Sequence, residues 1–571
     1  DRSKASDMTY EATKAICTFK NKDGRTLQVE FRVGRYDVAF RYLIPKEGET
    51  GSVRIFEELT EFSFNDSPEH DYLKTYLTPQ SHAMIGWKRT KPSYEEYYGV
   101  GKPVTAPSEY GHGYTFPCLF QLGGDGWVLV SETGVDGRFC GSRLGEYYET
   151  RGNFEGCVGA TYKIEYPMPE ENNGNGTVEP AIALPGATPW RTITLGETLK
   201  PIVETTVAWD VVEPLYEPSR NYEYGKGTWS WIVWQDASIR MEDQKKYIDM
   251  ASEMGFKYNL VDNWWDTNIG REGIEDLVAY ARERNVDLFL WYSSSGWWND
   301  IEQGPINIMS NPILRKKEMK WMRDLGVKGI KVDFFGGDKQ ETMAHYEAIL
   351  SDADEYGLMV IFHGCTLPRG WEKMYPNYVG SEAVRASENL VFSQYECDQE
   401  AQAACLHPFI RNAVGSMEFG GCFMNERLER TNTRGTIRRT TDVFQLATCV
   451  LFQNPIQNFA LAPNNMQDAP KVCLDFLREV PTTWDETRYI DGLPGEYVVL
   501  ARRNGDKWYV AAANAVDQTL EVNVKDVLEA LGLEKADVRL ISGGNEPSET
   551  APKAKHTVKI QKNDGAVLII G

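Results

Sequence analysis

The 571-residue chain contains no run approaching the ~20 consecutive apolar residues that span a bilayer, so a membrane span is not expected. Its opening, DRSKASDMTY, is not a signal peptide. Basic residues are few, with 61 Lys and Arg against 83 Asp and Glu and a formal net charge of −22. Such a surface repels phosphate backbones and anionic lipid, which counts against a nucleic-acid partner. The ten cysteines form no CxxC pair and no regular framework, so a zinc site is not expected and most read as small buried hydrophobes. Internal repeats and low-complexity segments are missing as well.

What remains is a chain rich in material for cores and for sugar contacts. It is 42% hydrophobic, with 16 Trp and 29 Tyr. Aromatic rings stack on the apolar faces of pyranoses, although most aromatics in any protein serve the core. The length exceeds what a single core usually supports, so two or three domains are expected.

From the start to about Thr206, short alternating runs such as Gln28–Val33 and Trp127–Val130 lie between Gly, Pro, Asn and Asp turns, the pattern of an antiparallel β-sandwich. Asn172–Gly176 reads as an exposed turn within it. Past a Pro- and Tyr-rich connector, Glu213 to Tyr224, strands alternate with helices. Strands are expected at Thr228–Trp234, Tyr258–Asn263, Asp287–Tyr292, Ile330–Asp333 and Met359–His363. Helices are expected at Glu242–Met254, Gly273–Arg284 and Pro312–Leu325, with another around Met343 to Leu350. Less regular strands follow near Ser416–Gly420 and Ile456–Ala460. This many units favour a closed parallel barrel over an open sheet, and no Gly-rich nucleotide fingerprint follows the first strand. Beyond Asp485, Glu496–Ala501, Lys507–Ala512 and Val567–Ile570 read as a small terminal β-sandwich. The expected organisation is a multidomain α/β protein: residues 1–212 a β-sandwich domain, 213–485 a (β/α)8 barrel and 486–571 a C-terminal β-sandwich.

The stretch Arg323–Gln340, RDLGVKGIKVDFFGGDKQ, places Asp333 at the carboxyl end of a buried strand. Loops at those ends converge on one pocket in barrel enzymes, which makes Asp333 a candidate nucleophile. The alternative is a helix cap, but Asp338 lies nearer the next helix and suits that task better. A second acidic group lies in Tyr378–Glu388. Glu382 and Glu388 would face one side of an extended segment, and their apolar neighbours argue against a solvated loop.

The motifs GTWSWIVWQD, YNLVDNWW, GIKVDFFGGDKQ, FHGCTLPRGW, YPNYVGSEAVRASENL and TPWRTITLG together resemble glycoside hydrolase family 97 over nearly the whole chain. The resemblance implies an N-terminal β-supersandwich, a (β/α)8 barrel and a C-terminal β-domain. It also implies a periplasmic or secreted enzyme acting on oligosaccharides or glycosides. The family's inverting α-glucosidases carry a glutamate directly after the histidine of the fifth strand, and here that position is Gly364. Its retaining branch, typified by α-galactosidases, has an aspartate nucleophile on the fourth strand, and here that position is Asp333. By the same resemblance Glu388 is the general acid/base. Glu382 and Glu132, of VSETGVDG, match positions that bind an active-site Ca2+, and Glu388 is expected to join that shell. Without the resemblance Glu132 reads as a solvated charge beside a Gly-rich turn.

Trp264, Trp265, Trp297 and Trp298 are candidate sugar platforms. Lys331 and Asp262 either bind sugar hydroxyls or form a buried ion pair. His363 is a sugar ligand or a core histidine, and Arg369 and Trp371 complete the candidates. The expectation is a calcium-dependent, retaining, exo-acting α-galactosidase. An α-glucosidase and a catalytically silent carbohydrate-binding protein stand as rivals, the latter disfavoured because a binding module needs no acid and nucleophile pair.

Overall fold

The computed structural model describes residues 2–65, 73–81, 94–124, 126–151, 158–295, 299 and 301–571. The first domain is built on a 13-stranded antiparallel sheet. Its path runs from Thr13–Lys20 through Thr26–Val33, Asp37–Ile44 and Trp190–Gly196 to Trp127–Thr133 and Tyr114–Leu122, then curls through Arg143–Leu144 and Val158–Glu165 to Tyr148–Arg151. The curl brings Phe64, Phe120 and Tyr162 together as an aromatic core, with Phe64 and Phe120 centroids 4.3 Å apart.

The expected exposed turn at Asn172–Gly176 is only partly exposed. Asn172 and Asn173 adopt left-handed backbone (φ 58° and 52°), and Asn172 is buried because its N–H donates to Gly336 O at 2.6 Å. Glu171 receives the N–H of Asp338, and Lys339 Nζ donates to Pro169 O and Asn175 O. The turn is thus docked on the loop that follows Asp333.

The central sheet has seven parallel strands: Gly225–Trp229, Tyr258–Val261, Asp287–Ser293, Gly329–Asp333, Met359–Phe362, Tyr378–Ser381 and Ile456–Phe459, the last pairing with the first. The remaining gap is spanned by the segment expected as the strand Ser416–Gly420. It forms no regular ladder, but Glu418 N–H donates to Ser381 O and Ala460 N–H donates to Gly421 O. The sheet is therefore a nearly closed (β/α)8 barrel. Helix Pro312–Leu325 matches its expected span because its ends are written locally. The Asn311 side chain accepts from Ile313 and Leu314 N–H, proline occupies the first turn, and Gly326 ends the helix at φ 97°.

The expected strand Thr228–Trp234 is instead split. Strand ends at Trp229 and Trp231–Trp234 is helical. Its β-prone sequence is overridden by tertiary bonds: Ser230 Oγ pairs with Ser238 Oγ and receives Gln244 Nε2, which turns the chain at that point.

The last domain is a six-stranded antiparallel sheet with a two-stranded companion. Helix Asp442–Leu451 of the barrel packs on its strands Lys507–Asn514 and Gly565–Ile570. There the buried Arg502 donates to Val450 O and Leu451 O, satisfying carbonyls at the helix end. Among the described residues no helix is long and apolar enough to cross a membrane. The nine cysteines among the described residues are free, and all of these but Cys17 are buried.

Candidate active site

Asp333 closes the fourth barrel strand, buried apart from an 8% exposed edge. Trp291 Nε1 donates to its Oδ2 at 3.1 Å, and Lys331 Nζ lies 3.9 Å from the same oxygen. Burial raises the Asp333 pKa above the ordinary aspartate range, while Lys331, His363 and the tryptophan bond pull against that shift. Lys331 is itself buried, which would lower its pKa, but the charges of Asp262 and Asp333 more than reverse this and hold it protonated.

Glu382 follows the sixth strand and Glu388 opens a short 3-10 helix, Ser387–Val391, so they do not lie on one extended segment as expected. They nonetheless converge, because His363 sits between them. Its Nδ1 is 3.3 Å from Glu382 and 3.9 Å from Glu388, and its Nε2 meets Glu418 at 2.6 Å. Burial raises the pKa of Glu388, opposed by His363 and Lys331. Burial also lifts Glu382 well above its usual value, and repulsion from Glu95, Glu388 and Asp333 adds to it.

Glu95 is a member of the site that the sequence did not announce. It comes from the first domain, lies beside Glu382, and is likewise pushed well upward by burial and then by Glu388 and Asp333. Its signal was faint: an acidic pair flanked by tyrosines in Tyr94–Tyr98. Glu418 was also missed, although a glutamate within the apolar Ser416–Gly421 run marked it.

The backbone beside these groups is held in an unusual form. Phe334, Gly364 and Ala383, directly after Asp333, His363 and Glu382, have φ of 68°, 46° and 42°. Left-handed backbone at Phe334 is costly and persists only where the surroundings impose it. At Gly364 a Cβ would come within 2.8 Å of both Asp333 Oδ1 and Phe334 N. A side chain at position 364 is therefore incompatible with Asp333 in its observed place.

Other candidates fall outside the pocket or into supporting roles. Glu132 is not among the clustered carboxyls. It accepts from Ser142 N and Oγ, pairs with Arg191, and receives Arg369 Nε at 2.6 Å. Two guanidiniums and a serine already occupy it. Arg369 is fully buried by the same pairing, with Nη2 on Tyr94 Oη at 2.9 Å and Asp338 at 3.2 Å, so it is no sugar ligand. Asp338 accepts from Tyr94 Oη and does not cap the following helix.

Asp262 and Lys331 form the buried ion pair at 3.0 Å, and Trp229 Nε1 also donates to Asp262. Trp265 is core, stacked on Trp321 with its indole N–H on Trp291 O, and Trp371 is core with its indole N–H on Val135 O. Trp264 is half-buried at the end of the second strand. Trp297 and Trp298 lie outside the described residues.

A barrel whose strand ends gather buried carboxyls, flanked by β-sandwich domains, is the architecture of a glycoside hydrolase. Three family models cover the chain in order. Glycosyl-hydrolase 97 N-terminal matches residues 1–214, Glycoside hydrolase 97 residues 221–384, and Glycosyl-hydrolase 97 C-terminal, oligomerisation, residues 483–569. The chain belongs to glycoside hydrolase family 97.

The chain is similar to a probable retaining alpha-galactosidase of Streptomyces bingchenggensis (strain BCW-1), at 28% identity over 522 residues, 88% of this chain and 70% of that protein. A retaining alpha-galactosidase of Bacteroides thetaiotaomicron is 29% identical over 348 residues, 56% of this chain and 49% of that protein. Among solved structures, a beta-arabinopyranosidase is 61% identical with a TM-score of 0.94, covering 100% of this chain and 88% of its own. A family 97 enzyme from Pseudoalteromonas sp. strain K8 in complex with acarbose, 18% identical with a TM-score of 0.77 over 98% of this chain and 91% of that one, shares the fold.

Proposed function

We propose that the protein is a retaining, exo-acting glycosidase for terminal sugars of galacto configuration, accepting β-L-arabinopyranosides and α-D-galactosides. The two sugars have the same ring configuration and differ only in the hydroxymethyl group on C5. The reading thus accommodates both the relatives named retaining alpha-galactosidase and the more similar beta-arabinopyranosidase structure.

The observation that carries the retaining mechanism is the pairing of Asp333 with a side-chain-free position 364. An inverting enzyme needs a base set back far enough to admit water, with carboxyls ~6.5–9.5 Å apart, whereas a retaining one needs a nucleophile in contact with the sugar. A 364 Cβ would crowd Asp333 Oδ1 and Phe334 N, which disfavours a base at 364 beside Asp333 in its observed place. In the first step the ionised Asp333 attacks the anomeric carbon as the leaving oxygen takes the proton of Glu388. In the second, Glu388 removes a proton from water, which displaces Asp333 and frees the sugar. Lys331 and His363 oppose the burial that raises the pKa of Asp333, and the raised pKa of Glu388 suits a group that delivers a proton.

Calcium suits the same pocket. Ligand atoms of His363, Glu382 and Glu388 lie within 4.8 Å of one another, and the buried Glu382 Oε1 has no hydrogen-bond partner among the described residues. The mutual repulsion of Glu95, Glu382 and Glu388 is the condition that a hard cation relieves. Those three carboxylates would hold it, in place of the Glu132 set expected from the sequence. When bound, the ion supplies positive charge beside the reacting sugar.

The test is a screen of nitrophenyl β-L-arabinopyranoside, α-D-galactoside and α-D-glucoside, with and without a calcium chelator, followed by NMR of early products. The first two substrates are expected to be cleaved, chelation to slow them, and the anomer released first to keep the substrate's configuration. Turnover of the glucoside alone would favour the α-glucosidase rival, no turnover the silent binding protein, and initial inversion would remove Asp333 from its role.

A further inference from the structure

Arg369 lies at the meeting of three segments that carry active-site groups. It is in the loop after the fifth strand, which begins with His363 and Gly364. Its Nη2 donates to Tyr94 Oη at 2.9 Å, and Tyr94 Oη donates to Asp338 Oδ2 at 2.6 Å. Tyr94 precedes Glu95, and Asp338 belongs to the loop after Asp333. Behind Arg369 stand Glu132, Arg191 and Glu58, in an ion-paired chain through the first domain's sheet. All of these side chains are buried. On its other side, Glu95 is held through its carbonyl, which accepts from Arg385 Nη1 at 3.3 Å. Arg385 lies between Glu382 and Glu388 in sequence, pairs with Glu396, and places its guanidinium 5.6 Å from the Tyr97 ring.

We infer that Tyr94 is a positioning residue whose hydroxyl, clamped between Arg369 and Asp338, fixes the first-domain segment that delivers Glu95 into the carboxylate pocket. Glu95 is the part of the site most dependent on such a device. It arrives from another domain, its described neighbours 94–101 form no helix or strand, and repulsion from Glu388 and Asp333 works to expel it. A ligand group held by outer hydrogen bonds loses its function when those bonds go, even though the group itself remains. The inference rests on the proposed reading of the pocket, and its test separates the two.

The experiment is a double-mutant cycle of Tyr94→Phe and Glu95→Gln, read as kcat/KM and as the calcium-induced rise in melting temperature. Tyr94→Phe removes one hydroxyl and keeps the ring. Each single variant is expected to lose about 10-fold or more in kcat/KM and most of the calcium response, and the double variant to be no worse than Glu95→Gln. Asp338→Asn, which weakens the same clamp from its other side, should behave like Tyr94→Phe and be equally non-additive with Glu95→Gln. Losses that add would overturn the inference, as would Tyr94→Phe at wild-type rate and calcium response. A Glu95→Gln enzyme with full activity would also overturn it, and if Asp333→Ala is inactive in the same assays the retaining reading survives that failure.

Discussion

Two buried acidic clusters lie side by side in this protein, and they differ in whether their charges are answered. Around Glu132, three carboxylates (Glu58, Glu132 and Asp338) face two guanidiniums, and Glu132 accepts four hydrogen bonds. Around Glu382, the carboxyls of Glu95, Asp333, Glu388 and Glu418 face Lys331 and His363, with Arg385 at the edge beside Glu95, and one Glu382 oxygen has no partner among the described residues. In the first, Glu132 is fully bonded and one Asp338 oxygen is left without a partner among the described residues, whereas in the second the carboxyls repel one another and raise the pKa values of Glu95 and Glu382. The lesson is that answered charge holds domains together, whereas unanswered charge marks the place where a substrate, a proton or a cation completes the set.

The largest effect that sharpens this contrast is on activity. Asp333→Ala should reduce turnover by at least about 10^3-fold while leaving the fold intact, because the interaction lost is made in the chemical step. Azide should partly restore rate by entering the space left behind, giving a glycosyl azide of inverted anomeric configuration. Near-normal hydrolysis by the alanine variant would sink the assignment, and circular dichroism of the same sample controls for folding.

The next effect is on stability, and it should run in opposite directions in the two clusters. Arg369→Ala leaves Glu132 and Asp338 short of a buried partner and should cost roughly 3–5 kcal/mol. Glu382→Gln keeps the acceptor for Gly364 N–H, 3.1 Å away, and deletes a charge that its neighbours repel. In chelator at neutral pH it should therefore melt at the same temperature as the parent or higher. Denaturation of the two variants side by side checks the pair, and a loss of equal size in both would erase the distinction.

Much of this was legible in the sequence, for reasons tied to particular residues. Asp333 was readable because a buried strand and the residue at its end are neighbours in the chain. Helix Pro312–Leu325 was readable because its caps are local. Glu132 was misplaced because its partners, Arg191 and Arg369, lie 59 and 237 residues away and leave no local trace. Glu95 was missed for the same reason, since the clamp that brings its segment to the barrel joins Tyr94 to a residue 244 positions on. The strand expected through Trp234 failed where a buried serine hydroxyl overruled β propensity.

The smallest effect is the pH dependence of stability. Glu95 and Glu382 have folded-state pKa values raised well above the usual carboxylate value. A carboxyl whose folded pKa exceeds its unfolded one binds its proton more tightly when folded. Its contribution is therefore most favourable at low pH and is lost as pH rises from the unfolded value through the folded one. In chelator, melting temperature should fall as pH is raised above the ordinary glutamate range, and Glu382→Gln should flatten that fall. In the proposed site calcium would replace the missing proton as the source of positive charge, so saturating calcium should flatten it too. Variants of the Glu132 cluster should leave the slope unchanged even where they lower the whole curve. A slope insensitive to both calcium and Glu382→Gln would mean that the pocket's repulsion is relieved within the chain itself, and the contrast between the two clusters would fail.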